Sequence, residues 1–261
     1  MNSLIIGETS QLSFYFPQQF DRISSRNIDF SIIRQKRYDR VYILFAEQRT
    51  FLNKDESFFT EINVDLTLRV IEEVKNHCNK VIIYSTSELW NNYEGKVDVK
   101  DTFNYNYTPY IKSKEIISNH IIEYPEKYPN VHIIYPFNFN SPFRKEGFLF
   151  SKIFDSLINK TVTEVGDLNF KRDIIHPSIV VNNSMKCEGH ALVGSGELIN
   201  IRDFVSDIFS NLQMDMSKYI LIDNKNYLPN VRKNYYSSIR YSNYNELIKL
   251  TLNDVKRNKI S

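Results

Sequence analysis

Short apolar runs alternate with longer amphipathic segments along the first half of this chain. The runs Ser3–Gly7, Tyr38–Ala46 and Lys80–Ser85 have the length and apolar density of buried β-strands, and a further strand is expected within Phe20–Phe30. The segment Phe58–Val74 repeats apolar residues at four-residue spacing, which predicts an amphipathic helix with one buried face. Strands that alternate with helices in this way predict an α/β fold: a Rossmann-type parallel sheet flanked by helices, with right-handed crossovers.

Another helix is expected to begin near Tyr110. Thr108 can cap its first turn, and Pro109 suits the first helical position. Lys114 follows Tyr110 by four residues and shares a stripe with Ile117, so it lies on the apolar face of this helix. An unpaired buried ammonium is costly, and the neighbouring phenol offers a reason for it, because a cation favours the phenolate and lowers the pKa of the tyrosine. The alternative is that Lys114 extends to solvent and the spacing is accidental.

Composition narrows the class of protein. The chain has 261 residues, of which 42% are hydrophobic, enough to bury the core of one large α/β domain, alone or with a small lobe. A formal net charge of +2 and the lack of a long one-sign run give no reason to expect a nucleic-acid partner. The two cysteines lie in no metal-ligand spacing, so no metal site is expected. No apolar stretch approaches about 18 residues and no basic region precedes an apolar one at the start, so we expect no membrane span and a cytoplasmic location.

The string Ser85-Thr-Ser-Glu-Leu-Trp90, together with Tyr110 and Lys114, resembles the extended short-chain dehydrogenase/reductase family, the NAD-dependent epimerases and dehydratases that act on nucleotide sugars. The resemblance implies a catalytic triad in which Thr86 hydrogen-bonds the substrate oxygen, Tyr110 exchanges the proton and Lys114 holds the nicotinamide ribose. Glu88 matches the glutamate that acts as the base in GDP-mannose 4,6-dehydratases.

The turn after the first strand departs from the family pattern GxxGxxG, in which backbone amides at a helix N-terminus approach a pyrophosphate. Gly7 keeps the first glycine, whereas Ser10 and Ser13 occupy the other two positions. This departure implies either a weakened, exchangeable cofactor or a fold that has lost one. The short distance from this turn to the strand at Tyr38 also implies that a helix or strand on that side is abbreviated.

Arg26 lies in a stretch that is similar to GDP-fucose synthase-like reductases, which use NADPH, and it is a candidate contact for a 2′-phosphate. A solvated surface arginine is the alternative. The implied cofactor is NADP(H), with NAD(H) as the second choice. The residues that the resemblance places at the cofactor are Gly7, Ser10, Gln11, Leu12, Arg26, Phe45, Ala46, Ser85, Tyr110, Lys114 and Pro136.

The implied substrate is a nucleotide-diphosphate sugar. Pro136–Pro142 resembles the family's asparagine-containing loop, and Phe170–His176 resembles its KRD stretch beside the nucleotide site. An asparagine that orders its own loop, and an arginine paired with Asp173, are the structural alternatives. The residues that the resemblance places at the substrate are Thr86, Ser87, Asn138, Arg172 and Arg232. The glycines of Val193–Glu197 look like a family turn that leads into a helix, a structural role rather than a phosphate loop.

These assignments predict a Rossmann-type cofactor domain at 1–135 with 179–214, and a small substrate lobe at 136–178 with 215–261. The predicted function is an NADPH-dependent reductase of a 4-keto nucleotide sugar. A 4,6-dehydratase or epimerase with Glu88 as base is the alternative, and a non-catalytic binding protein of the same fold is the third reading. By resemblance alone, we expect a homodimer.

Overall fold

The computed structural model describes residues 2–144, 146–223 and 233–258. The chain divides into two compact units. The first comprises Met1–Trp90, Val99–Pro136 and Val181–Leu192. The second comprises Asn91–Asp98, Phe137–Val180 and Val193–Ser261.

The strands and helices follow in chain order. The strands are β1 (Ser3–Ile6), β2 (Asp21–Ile23), β3 (Tyr38–Ile43), β4 (Cys78–Tyr84), β5 (Gly95–Val97), β6 (Val131–Pro136), β7 (Asn138–Phe139), β8 (Thr163–Val165), β9 (Lys171–Arg172), β10 (Ile174–Ile175), β11 (Ala191–Val193), β12 (Ile199–Asn200), β13 (Ile220–Ile222) and β14 (Tyr235–Ser237). The α-helices are α1 (Phe30–Arg34), α2 (Glu56–Thr60), α3 (Thr67–Val74), α4 (Pro109–Glu123), α5 (Leu149–Asn159), α6 (Pro177–Lys186), α7 (Ile201–Asn211) and α8 (Tyr244–Asn258). None of the helices in the described ranges is long and apolar enough to cross a lipid bilayer.

The first unit is built on a sheet with the strand order β11-β6-β4-β3-β1-β2. The pairings of β1 with β2 and β3, and of β4 with β3 and β6, are all parallel. Ile5 at the centre of β1 lies opposite Arg22 of β2 on one side and Tyr42 of β3 on the other. The Rossmann-type parallel sheet predicted from the hydrophobic pattern is therefore confirmed. Since the chain passes from β1 to β2 on one side and then to β3 on the other, the strand order reverses there, and ligands of open α/β sheets bind at such a switch point.

The connection from β1 to β2 differs from the prediction. The family pattern implies a helix after Gly7, but within the described chain this segment forms only turns and one short 3₁₀ helix, Ser13–Tyr15. Phe16 and Phe20 are buried against Tyr42, with ring centroids 4.5 and 6.2 Å away. Two aromatic rings thus cover this side of β3 where a helix was expected, and the expected abbreviation on this side of the sheet is observed.

The predicted helix Phe58–Val74 is present in three parts. A π-helical segment, Glu61–Leu66, joins α2 to α3. Of the predicted stripe at four-residue spacing, Val70 and Val74 are buried, whereas Ile62 and Leu66 are half-buried. Val64, which lies outside that spacing, is buried as well. Asn63 within the π-helical segment is also buried, although it is polar.

The second unit contains two-stranded pairings and its own apolar core. The pairings are β7 with β10, β9 with β12, β8 with β13, and β5 with β14. Its core includes Phe154 and Leu157 of α5, Phe204 and Ile208 of α7, and Leu247 of α8. The sequence predicts that residues 179–214 belong to the cofactor domain, whereas α7 packs in the second unit. The reason is its apolar face, which completes the core formed by α5 and α8.

Candidate active site

The end of β4 positions Thr86 and Glu88. β4 ends at Tyr84, and the chain turns through a short 3₁₀ helix, Ser87–Trp90. The Oγ1 atom of Thr86 accepts a hydrogen bond from the backbone N–H of Glu88 at 3.2 Å. Since this bond uses the hydroxyl as an acceptor, its proton is available to donate to a ligand. Both side chains are largely buried.

The helix that carries Tyr110 and Lys114 begins where the sequence predicts. Thr108 is the N-cap of α4, and its side chain accepts a hydrogen bond from the N–H of Ile111 at 3.1 Å. Pro109 occupies the first turn, where its missing N–H costs nothing. The predicted start of this helix is confirmed, because both signals are local in the chain.

Lys114 lies in the interior of the first unit. Its side chain is 4% exposed, and its Nζ atom donates a hydrogen bond to the carbonyl oxygen of Tyr84 at 2.9 Å. Extension to solvent is therefore excluded. Burial lowers the pKa of Lys114 from its ordinary 10.5 to about 8. The ammonium thus reaches the carboxyl end of β4, two residues before Thr86.

Tyr110 is one helical turn before Lys114 and is half-buried. Its ring packs edge-on against Phe59 of α2, with the centroids 6.4 Å apart. The Oγ atom of Ser113 donates a hydrogen bond to the carbonyl oxygen of Tyr110 at 2.7 Å. Sequence reasoning did not single out Ser113, although it lies between the two proposed catalytic residues.

A buried amide connects this helix to the loop after β3. The Nδ2 atom of Asn63 donates to Ser113 Oγ at 2.9 Å and to the carbonyl oxygen of Glu47 at 3.0 Å. Its Oδ1 atom accepts from the N–H of Glu47 at 2.8 Å. Asn63 therefore ties α4 to the loop at the switch point through three hydrogen bonds.

Gly7 fixes the start of the predicted cofactor loop. It has a φ of +107°, and a Cβ atom at this position would lie 3.0 Å from the backbone nitrogen of Phe45. A side chain here would face both a strained backbone and a close approach to the chain after β3. Phe45 and Ala46 are half-buried at this approach.

The turn that follows offers unused hydrogen-bonding groups. The N–H of Ser10 donates to Gly7 O and the N–H of Ser13 to Ser10 O, each at 2.9 Å. Within the described chain, the N–H groups of Gln11 and Leu12 have no protein acceptor. The Gln11 Oε1 atom is buried and also has no hydrogen-bond partner among the described residues.

These groups fit a nicotinamide dinucleotide. Adjacent N–H groups of a turn suit an anion such as a pyrophosphate, and Gln11 and Leu12 would supply them. The buried ammonium of Lys114 has donors beyond the one used by Tyr84, which suits ribose hydroxyls. The family pattern also implies a helix N-terminus at the pyrophosphate, but in the described chain no α-helix lies between Gly7 and β2. A helix N-terminus therefore does not contribute to this site.

The remaining predicted cofactor residues differ in their surroundings. Ser85 Oγ is bonded to Ser118 Oγ at 3.0 Å, so its side chain is engaged within the protein. Pro136 is buried at the end of β6. Arg26 is exposed, and its backbone N–H donates to Ser24 Oγ at 3.1 Å. Among the described residues, no contact of the Arg26 side chain separates the two alternatives, a 2′-phosphate site and a solvated surface arginine.

The predicted substrate residues do not all belong to one unit. Ser87 is buried beside Thr86 in the first unit. Asn138, half-buried in β7, and Arg172, buried in β9, belong to the second. The Nη1 atom of Arg172 donates to the carbonyl oxygen of Lys171 at 2.6 Å. Arg232 lies outside the described residues.

The glycine-rich turn of the second unit binds an internal carboxylate. Asp173 is buried and accepts hydrogen bonds from the N–H groups of Ser195, Gly196 and Ser237 at 2.6, 3.1 and 3.0 Å. Ser195 Oγ donates a fourth at 2.7 Å. Burial nevertheless raises the pKa of this carboxyl above its ordinary value. The structural role predicted for the turn is observed, and Asp173 is held by the turn rather than by the neighbouring Arg172.

Comparison with solved structures shows the same fold in several nucleotide-sugar enzymes. The structure entitled RMD from Pseudomonas aeruginosa complexed with NADPH has a TM-score of 0.76 at 14% identity, over 98% of this chain and 100% of that one. A UDP-N-acetylglucosamine 4-epimerase from Methanobrevibacter ruminantium M1, in complex with UDP-N-acetylmuramic acid, has a TM-score of 0.79 at 16% identity, over 98% and 97%. A UDP-glucose 4-epimerase from Thermotoga maritima, solved with UDP-glucose, has a TM-score of 0.77 at 14% identity, over 98% and 99%. No curated protein matches the chain.

A family model also matches the chain directly, over residues 19–201. The match includes Thr86, Tyr110 and Lys114. It begins after the turn Gly7–Ser13, which departs from the GxxGxxG pattern of the family. The family resemblance seen in the sequence is thereby confirmed: the chain belongs to the NAD dependent epimerase/dehydratase family of short-chain dehydrogenase/reductase enzymes.

Proposed function

We propose that this protein is an NADPH-dependent reductase of a 4-keto nucleotide sugar. The observation that carries the proposal is the buried Lys114, which reaches the end of β4 beside Thr86 and lies one helical turn from Tyr110. A protein without catalytic work has little reason to bury a lysine whose partner is a neutral carbonyl, because the burial lowers stability.

The residues divide the work between binding and proton transfer. When bound, the nicotinamide cofactor supplies the hydride. Thr86, whose hydroxyl proton is available, hydrogen-bonds the carbonyl oxygen of the substrate. Tyr110 donates the proton that this oxygen takes up, and the nearby charge of Lys114 favours the phenolate that remains. Ser113 and Asn63 hold the backbone of this helix turn in place.

The loop at Gly7 supports a reductase over an enzyme that retains its cofactor. A reductase must exchange oxidised for reduced cofactor in every turnover, whereas an epimerase or dehydratase takes a hydride and returns it. A turn without a following helix offers fewer fixed contacts to the pyrophosphate, which favours exchange. One structural neighbour is solved with NADPH and others with NAD, which supports a nicotinamide cofactor of either kind.

A 4,6-dehydratase or an epimerase is the second candidate, and Glu88 is the observation that favours it. Its side chain is buried within two residues of Thr86, where a carboxylate could remove a proton from a bound sugar. Such an enzyme would convert a saturated nucleotide sugar without added reductant.

The test measures NADPH consumption with 4-keto-6-deoxy nucleotide sugars of different bases. We expect turnover in the wild type and a loss on the order of 10²- to 10⁴-fold in Tyr110→Phe. Tyr107→Phe is the matched control, because Tyr107 lies three residues earlier, is exposed and bonds Glu56. Conversion of saturated nucleotide sugars without reductant, abolished in Glu88→Gln, would instead support the dehydratase or epimerase. Binding of neither NADPH nor NADH at millimolar concentration would support the non-catalytic reading.

A further inference from the structure

The loop that replaces the expected helix is folded around one side chain, Arg22 of β2. All three guanidinium nitrogens donate hydrogen bonds into this loop. The acceptors are Ser13 Oγ for Nε (3.3 Å), Gln18 O and Phe20 O for Nη1 (3.0 and 2.9 Å), and Ser13 O, Phe16 O and Pro17 O for Nη2 (3.4, 3.2 and 3.0 Å). The Arg22 side chain thus donates hydrogen bonds to carbonyl groups of this loop. In a helix, backbone N–H groups would bond such carbonyl groups.

The loop therefore depends on Arg22 for its conformation. Five of the acceptors are backbone carbonyls; Ser13 O and Pro17 O also accept the backbone N–H groups of Phe16 and Phe20, and Arg22 is a donor to all five. All six acceptors are neutral, so the positive charge of Arg22 is not cancelled by the bonds it makes. This charge has the sign that the N-terminus of a helix would have presented to an anion.

Arg22 also connects to the turn with the unused N–H groups. Gln11 and Leu12 are the central residues of the turn Ser10–Ser13, which is closed by the bond from Ser13 N–H to Ser10 O. Arg22 holds Ser13 at both its hydroxyl and its carbonyl oxygen. Ser13 stands where the family pattern has its third glycine. Its hydroxyl therefore has a structural use that a glycine could not provide.

We propose that Arg22 is a positioning residue for the cofactor pyrophosphate. It fixes the Ser10–Ser13 turn, in which the N–H groups of Gln11 and Leu12 would bind the anion. In the family pattern, the N-terminus of a helix binds the pyrophosphate instead. The inference rests on the proposed use of a nicotinamide cofactor. It concerns only how the pyrophosphate of this cofactor is bound. The nicotinamide ribose would be held by Lys114 of α4, beside the end of β4.

The test separates the two halves of the cofactor by equilibrium binding. Three probes are titrated into the wild type and into Arg22→Met: NADPH, ADP-ribose and reduced nicotinamide riboside, which has the nicotinamide ribose but no phosphate. We expect Arg22→Met to bind NADPH and ADP-ribose at least about tenfold more weakly. This is the effect of losing one hydrogen bond between a turn N–H group and the charged pyrophosphate. Binding of the riboside should be unchanged.

Two further variants control for stability. Arg40→Met removes a buried arginine of the same sheet, one that bonds Cys187 O and Glu188, and it should lower the melting temperature without changing any of the three affinities. Arg22→Lys keeps the charge but cannot fill six acceptors from one nitrogen, so ADP-ribose should still bind more weakly than in the wild type. This variant serves if Arg22→Met does not fold.

The outcomes are distinguishable. If the wild type binds NADPH and both Arg22 variants bind it equally well, the positioning role is wrong and the proposed function stands. Equal losses for NADPH and for the riboside would also overturn the role, because they indicate a general effect on the unit. If the wild type binds none of the three probes, the proposed function itself fails.

Discussion

The Nζ atom of Lys114 donates a 2.9 Å hydrogen bond to the carbonyl oxygen of Tyr84, which joins α4 to the end of β4 through a side chain that is almost fully buried. The partner is neutral, so this bond does not cancel the charge of the ammonium. The pKa of about 8 expresses the resulting cost of holding a proton in the folded state.

Lys114→Met should alter how stability depends on pH. Between pH 8 and 10.5 the unfolded lysine binds a proton that the folded one has released, so folding of the wild type becomes more favourable as the pH rises through this window. Relative to Lys114→Met, the wild type should gain about 3 kcal/mol of unfolding free energy across it. Urea denaturation at several pH values measures this difference. Lys112→Met, which removes a partly exposed lysine paired with Glu115 and keeps Lys114, should follow the wild-type dependence, and parallel curves for wild type and Lys114→Met would contradict the prediction.

Asn63→Ala should destabilise the first unit and disturb the active-site helix. The change leaves the N–H and C=O of Glu47 and the hydroxyl of Ser113 without their buried partner. We expect a loss of about 2 to 4 kcal/mol in unfolding free energy, measured by urea denaturation. Asn76→Ala, at an exposed position shortly after α3, is the control and should cost little. A loss in Asn63→Ala no larger than that of the control would show that these hydrogen bonds carry no net stability.

Gly194→Ala should be severely destabilising, whereas Gly189→Ala should be tolerated. A Cβ atom at Gly194 would lie 2.5 Å from Asp173 Oδ2 and 2.7 Å from Phe137 Cδ2, while at Gly189 it would meet nothing within 4 Å. Overpacking beside a buried carboxylate should cost about 3 kcal/mol or more, against about 0.5 kcal/mol or less at the open site. Thermal unfolding of the two variants side by side measures the contrast. Similar melting temperatures for the two would mean that the turn at Asp173 can relax.

Mild acid should destabilise the first unit through two histidines. Burial, and then the neighbouring His190, lower the pKa of His132, and burial lowers that of His190. Because the folded state disfavours the charged rings, the unfolded chain binds more protons, and stability should fall as the pH drops below the ordinary histidine value of 6.5. The cations Arg40 and Lys80 near His132 oppose its protonation further, and Glu188 favours it.

Replacing one ring tests this dependence. In His132→Gln the loss of unfolding free energy between pH 7 and 5 should be smaller than in the wild type, as followed by urea denaturation at fixed ionic strength. His120→Gln, at a position on α4 where the ring contacts Tyr124 and Tyr128, is the comparison and should keep the wild-type dependence. An unchanged slope in His132→Gln would assign the acid sensitivity to other groups.

Local signals in the sequence predicted local structure well. Thr108 and Pro109 located the start of α4, and four-residue spacing located the helical region that ends at Val74. Both predictions succeeded because a cap acts within one turn and an apolar stripe requires only that some core be present. The parallel sheet followed from the alternation of such elements.

The sequence was less informative about the segment between Gly7 and Arg22. Its family pattern implied a helix, but the structure forms a loop whose carbonyl groups are satisfied by Arg22. No local rule predicts this, because the stabilising side chain comes from the next strand and acts only after β1 and β2 have paired. The partition of α7 into the second unit was missed for a related reason, since the core that receives its apolar face is built from α5 and α8.

The sequence by itself determined the class of fold, the start of α4 and the end of the helical region at Val74, and it predicted which residues have catalytic potential. Only the tertiary structure decided that Lys114 is buried against Tyr84, that Asn63 bonds Ser113, and that Arg22 replaces a helix. Propensity and periodicity act over a few neighbouring residues, whereas the partners of these polar groups are brought to them by separate strands and helices. A buried charge or amide can be identified from the sequence as a candidate, but its environment is set by the folded chain.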